Sequence, residues 1–118
     1  MDAAGVEFKA SLRTTALPIW RTLRVPGCLT MTQLHEVMQL AFEWSDAHPH
    51  EWMLGRVRVR PKTLKLRDLG LVRGATLLYR YDLGDRWEVE LKVLRLLDEV
   101  AAVECVAGEL AGPPEDCG

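Results

Sequence analysis

Three groups of residues in this chain have the types and spacing to do chemistry. His48 and His50 stand two apart. On a strand such residues share a face roughly 7 Å apart. That suits two metal ligands, with Asp46 or an acid of the 82–85 loop as a third; the candidate metal set is His48, His50 and Asp85. The competing reading is a hydrogen-bonding pair that pins the helix exit to a sheet. The second group is Asp82-Leu83-Gly84-Asp85, two carboxylates that could serve as general acid and base. Asp is equally a turn former, because it accepts backbone N–H groups and tolerates left-handed geometry. The third is Arg56, Arg58 and Arg60 at alternate positions, with Trp52 on the same parity. An unbroken strand would set the three guanidinium groups in a row matching phosphates, with the indole free to stack a base. The plain alternative is a solvated sheet face.

Other chemistry is missing from the sequence. The serines are Ser11 and Ser45, and there is no Gly-x-Ser-x-Gly, P-loop or Gly-x-Gly-x-x-Gly, so neither a nucleophilic triad nor a nucleotide cofactor is expected. His35 falls on the polar side of the predicted helix and reads as structural. Cys28, Cys105 and Cys117 are odd in number and widely spaced. This favours reduced thiols in a cytosol over a disulfide framework. The start, Met1-Asp2-Ala3-Ala4, has neither the basic residues nor the apolar run of a signal peptide. No apolar run approaches the 18 or so residues of a membrane span. The expected location is cytoplasmic.

The elements that must position these groups follow from periodicity. Val6, Phe8, Ala10 and Leu12 alternate with Glu7, Lys9, Ser11 and Arg13, predicting a half-buried strand over 6–13. Residues 19–25 predict a second, paired antiparallel with the first. Leu34, Val37, Met38, Ala41 and Phe42 make one helical stripe, and Thr30 with Gln33 matches a capping box, so a helix is predicted over 31–43. A strand over 51–60 would turn Met53, Gly55, Val57 and Val59 inward. A short helical turn over 66–69 stops at Gly70. Strands follow over 76–82 and 86–97, and an edge strand over 101–106.

Register can be argued for the 76–82 and 86–97 hairpin. A three-residue loop pairs Tyr81 with Trp87, Tyr79 with Val89 and Leu77 with Leu91. It also sets Arg80 against Glu88 and Asp82 against Arg86, opposite charges in both cases. The predicted fold is α+β: a mainly antiparallel sheet of five or six strands, one main helix on one face, and a short second helix. At 118 residues the chain makes a single domain, 1–118, large enough to bury a core without staples.

The net charge of −2 conceals a division. Residues 52–67 hold six bases and no acid, and residues 98–118 hold six acids and no base. The acidic block could neutralise the arginine row within the same chain. Arg outnumbers Lys 11 to 4 and Asn is absent, a bias expected of a GC-rich bacterial genome. It weakens the case that arginines were selected for nucleic acid.

Four segments in order carry a family likeness: Pro18-Ile19-Trp20-Arg21, then Leu34-His35-Glu36-Val37, then residues 42 to 52 around Trp44-Ser45-Asp46-Ala47-His48-Pro49-His50, and Tyr79-Arg80-Tyr81-Asp82-Leu83-Gly84-Asp85-Arg86-Trp87. The tail from Cys105 through Gly108 and Pro113-Pro114-Glu115-Asp116 to Gly118 adds a last motif. Together they resemble the plasmid pRiA4b ORF-3-like family. The resemblance implies a compact α+β domain carried on plasmids and transposons, sometimes under a resolvase-like label, with no established activity. There are departures. Trp52 stands where an aromatic ends the family's His-containing segment, and Leu83 replaces the aromatic before the glycine. Val89 stands where a histidine is frequent, which removes one nitrogen from any histidine cluster. Relatives continue beyond Gly118, so the likeness implies a chain cut inside its last motif.

The expected function is a non-enzymatic accessory or protein-interaction module. Its working patch is Trp44, Asp46, His48, His50, Asp82, Asp85 and Trp87, and its partner is a protein. The alternatives are nucleic-acid binding through Trp52, Arg56, Arg58 and Arg60, or a metal-dependent enzyme at the His/Asp cluster.

Overall fold

Alternation at the N-terminus gives the first strand, β1 (Gly5–Leu12), which turns Val6, Phe8 and Ala10 into the core. It pairs antiparallel with β2 (Trp20–Pro26), Phe8 facing Leu23 and Glu7 facing Arg24. The chain then forms α1 (Met31–Ala41), β3 (His50–Leu54), β4 (Val57–Arg58), a 3-10 turn (Leu66–Leu69), β5 (Thr76–Tyr81), β6 (Trp87–Leu97) and β7 (Glu104–Glu109). The structure is a computed structural model, and it describes residues 5–13, 19–44, 49–60, 63–81, 87–98, 100 and 102–109.

The seven strands form one sheet in the order β4-β3-β5-β6-β1-β2-β7, with every neighbouring pair antiparallel. One face carries Phe8, Leu23, Val25, Trp52, Leu77, Tyr79, Val89 and Leu91, all buried, and α1 covers it with Met31, Leu34, His35, Met38 and Gln39. This is the α+β arrangement that the periodicity predicts. The strand count is seven rather than five or six, and the second helix is a single 3-10 turn.

The predicted capping box is present. Thr30 Oγ1 accepts from the Gln33 amide at 3.2 Å, and Gln33 Oε1 accepts from the Thr30 amide at 2.9 Å. The helix ends at Ala41, two residues short of the prediction, because Glu43 adopts φ 58°. The Glu43 amide donates to the Leu40 carbonyl at 3.3 Å and the Trp44 amide to the Gln39 carbonyl at 2.9 Å. These two bonds make a Schellman closure, which favours glycine at the position Glu43 holds.

The β5·β6 hairpin has the predicted register: Tyr81 faces Trp87, Tyr79 faces Val89, Leu77 faces Leu91 and Arg80 faces Glu88. Asp82 and Arg86 lie outside the described residues.

Three expectations are overturned. The strand over 51–60 is two strands, because Gly55 takes φ 63° and starts a two-residue turn that folds β4 back on β3, with Leu54 facing Val57 and Met53 facing Arg58. Glycine first in a two-residue hairpin turn is a preferred arrangement. The parity is also reversed: Trp52 is buried, while Val57 is 68% exposed. The apolar positions 57 and 59 misled because each lay between basic residues, whereas position 52 carried the larger apolar side chain. The third correction concerns the thiols. Cys28 is free and exposed, but Cys105 is disulfide-bonded. A bridge depends on the distance between α-carbons in the fold, which sequence spacing does not report. The thiol argument for a cytosol is lost with it.

Candidate functional site

Antiparallel pairing brings one end of most strands together. The end of β1 at Leu12, the start of β2 at Trp20, the start of β3 at His50, the end of β5 at Tyr81 and the start of β6 at Trp87 all lie on this side of the sheet. The Schellman closure delivers Trp44 to the same side. The result is a band of rings between helix exit and sheet. Trp44 stacks on Tyr81 at 4.9 Å and on Phe42 at 5.3 Å, and lies 6.2 Å from Trp87. Tyr79 continues the band to Trp52 at 4.5 Å.

Polar groups are set into this band. The Tyr79 hydroxyl is bonded to His35 Nδ1 at 2.6 Å and accepts from Gln39 Nε2 at 2.8 Å. With Gln39 donating into the hydroxyl oxygen, the phenolic hydrogen is available to His35 Nδ1. His35 and His50 stack with centroids 3.6 Å apart and planes 7° from parallel. His35, Gln39 and Tyr79 are buried, while His50, Trp44 and Trp87 are half-buried. The inner part of the site is therefore fixed by packing and hydrogen bonds, and its outer rings reach solvent.

At the far side of the band, on β2, Arg21 is only 3% exposed. Its guanidinium lies 5.3 Å from the Phe42 ring, and Nη1 donates to the Trp20 carbonyl at 3.0 Å. Burial lowers its pKa from the ordinary value, and the negative charge of Glu43 acts in the opposite direction. Arg21 Nε and Trp52 Nε1 are buried without a hydrogen-bond partner among the described residues.

The expected patch is brought together in part. Trp44, His50 and Trp87 converge at this end, whereas Asp46, His48, Asp82 and Asp85 lie outside the described residues. Among the described residues no group of three or more His, Cys, Asp or Glu is placed to hold a metal ion. The arginine row does not lie on one unbroken strand. Arg56 sits in the β3–β4 turn, and Arg60 lies beyond β4. Arg58 points to the sheet's outer face, where it pairs with Glu51 at 2.9 Å. Trp52 is in the core, where no base can stack on it. His35 is buried against Tyr79 and His50 rather than lying on a polar helix face. Its spacing of four from Gln39 is the signal that would have found this pair, since such residues share a helix face. Arg21 was also within reach, because it shares strand parity with Leu23 and Val25.

Fold and site thus define a class: an antiparallel sheet covered by one helix, with a ring-lined end that holds a buried polar cluster. The chain belongs to the plasmid pRiA4b ORF-3-like protein family, which matches residues 4–118. It is similar to the uncharacterized protein y4hQ of Sinorhizobium fredii, 29% identical over all of this chain and 69% of that protein. It is also similar to a protein of unknown function, MM3350, from Methanosarcina mazei Go1. That crystal structure has a TM-score of 0.78 and 28% identity, covering 98% of this chain and 75% of the other. No described helix is long and apolar enough to cross a membrane.

Proposed function

We propose that the chain is a non-enzymatic interaction module of a plasmid-associated family, and that it receives a protein partner at the ring-lined end of its sheet. One observation carries this reading: Trp44, Trp87 and His50 lie half-buried at one end, backed by the buried Tyr79–Tyr81–Trp52 layer. Half-exposed aromatic rings on a rigid bed give large contact area at little entropic cost, which is the composition of interface hot spots. The arginines of residues 56–60 give weaker support to a nucleic-acid face, since Arg58 is paired with Glu51 and Trp52 is buried.

The test is site-specific photo-crosslinking in a plasmid-bearing bacterial host. A photoreactive residue at Trp87 should yield a discrete adduct, and one at Val57, exposed on β4, should not. Trp44→Ala should abolish the adduct while the variant keeps its cooperative unfolding. Equal labelling from both positions, or none from Trp87, would overturn the reading.

A further inference from the structure

Glu7, a second buried charged residue, is held by two arginines, whereas Arg21 has no carboxylate in ion-pair contact among the described residues. Removing a cation from water without a partner costs several kcal/mol. A fold that keeps such a group either tolerates the cost or uses the group. Its geometry favours use. Nη1 is taken up by the Trp20 carbonyl, so the edge that contains Nε is left over. That edge is the one with which arginine grips two oxygens of a carboxylate or phosphate. The Phe42 ring lies against the guanidinium. Glu43 acts on Arg21 only through space, and its φ of 58° fixes it in the helix closure, where it is a neighbouring negative charge rather than a partner.

We propose that Arg21 is an oxyanion-binding residue, whose Nε edge receives a carboxylate or phosphate group beside the Phe42 ring. This goes beyond the protein-interaction reading and does not depend on it, because the ligand is a small anion and the receptor is on β2. The anion would restore the missing charge and satisfy the orphaned Nε–H in one step. It would also stabilise the native state by mass action.

The experiment uses the full chain with two probes, inorganic phosphate and acetate, each against sodium chloride at matched ionic strength. The arginine Nε–H resonances are followed by NMR and the unfolding midpoint by calorimetry. One buried Nε–H should shift saturably with at least one probe, and the probe that acts identifies the anion class. The midpoint should rise by roughly 10 °C at a hundredfold excess over Kd. Both responses should vanish in Arg21→Met. Arg21→Lys keeps the charge without the fork, and it should bind at least tenfold more weakly; it also serves if the methionine variant does not fold. Glu43→Gln should bind roughly fivefold more tightly, having lost a nearby like charge to the ligand. If neither probe moves an Nε–H resonance of the wild-type protein, or if Arg21→Lys responds as the wild type does, Arg21 is not an anion receptor. Cross-linking from Trp87 is unaffected by either result, so the two proposals fail separately.

Discussion

The two faces of the sheet treat charge in opposite ways. On the outer face, charges alternate from strand to strand. Arg58, Glu51, Arg80 and Glu88 run in order across β4, β3, β5 and β6, with contacts of 2.9, 3.1 and 3.1 Å. Arg95, Glu7, Arg24 and Glu104 run across β6, β1, β2 and β7, with contacts of 3.2, 2.8 and 3.9 Å. On the covered face the described polar groups are few and buried, and one of them, Arg21, stands without a carboxylate in ion-pair contact among the described residues. The outer face teaches what this chain does with a charge that serves only the fold: it sets an opposite one on the next strand. Arg21 departs from that habit on the same strand as Arg24, three residues away. A departure so local points to a use outside the fold itself.

Tyr79 and Arg80 give the largest contrast, because they are adjacent on β5 and face opposite sides. Tyr79→Phe removes one oxygen and keeps the ring. The hydroxyl accepts from Gln39 and is bonded to His35 in a buried layer, so a loss of about 2 kcal/mol is expected. Arg80→Met removes a whole charge with two partners, yet the arginine itself is 39% exposed and the expected loss is about 1 kcal/mol or less. Urea unfolding of both variants measures this order. If Arg80→Met proves the more damaging, the polar layer under the helix is not what holds the site rigid.

Much of this contrast was readable in the sequence. The Tyr79–Val89 and Arg80–Glu88 register follows from two independent requirements, apolar side chains on one face and opposite charges paired on the other, and only one loop length meets both. The helix start follows from Thr30 and Gln33 for a similarly local reason. What was not readable depends on distance in three dimensions. Trp52 reads as a stacking platform until Gly55 is seen to fold the strand back. His35 reads as a surface residue until Tyr79 is brought under it from 44 residues away. Helix termination at Glu43 runs against local preference, since a glutamate there must take the left-handed conformation.

The buried member of the outer face is Glu7, and it sharpens the comparison through pH. Its side chain is bonded to Arg95 through two oxygens and to Arg24 at 2.8 Å. Arg95 first and Arg24 second pull its pKa below the ordinary 4.5, against a smaller opposing effect of burial. In the unfolded chain Glu7 titrates near its ordinary value. Its contribution is therefore whole above pH 4.5 and is lost as the pH falls through the lower folded value. Stability measured from pH 6 down to pH 3 should drop in the wild type. Glu7→Gln should start about 1 kcal/mol lower at pH 6 and show a shallower drop. Parallel curves would mean that other carboxylates set the acid limb and that Glu7 is not a paired charge in the working sense.

The smallest effect concerns the exposed row. Arg80 is 39% exposed at its side chain and Arg58 is 54% exposed, so water competes for the arginine end of these pairs. A double-mutant cycle on Glu51 and Arg80, each replaced by glutamine, should give a coupling of about 0.5 kcal/mol at low salt. It should shrink as added salt shortens the screening length. The same cycle on Glu7 and Arg24 should give a somewhat larger coupling, because that contact is 2.8 Å rather than 3.1 Å while the two carboxylates are almost equally buried. The ratio of the two couplings tests the contrast within the outer face: if salt erases both alike, Glu7 is screened as fully as a surface carboxylate. The absence of a carboxylate paired with Arg21 among the described residues would then stand out against a face on which even the innermost pair is wet.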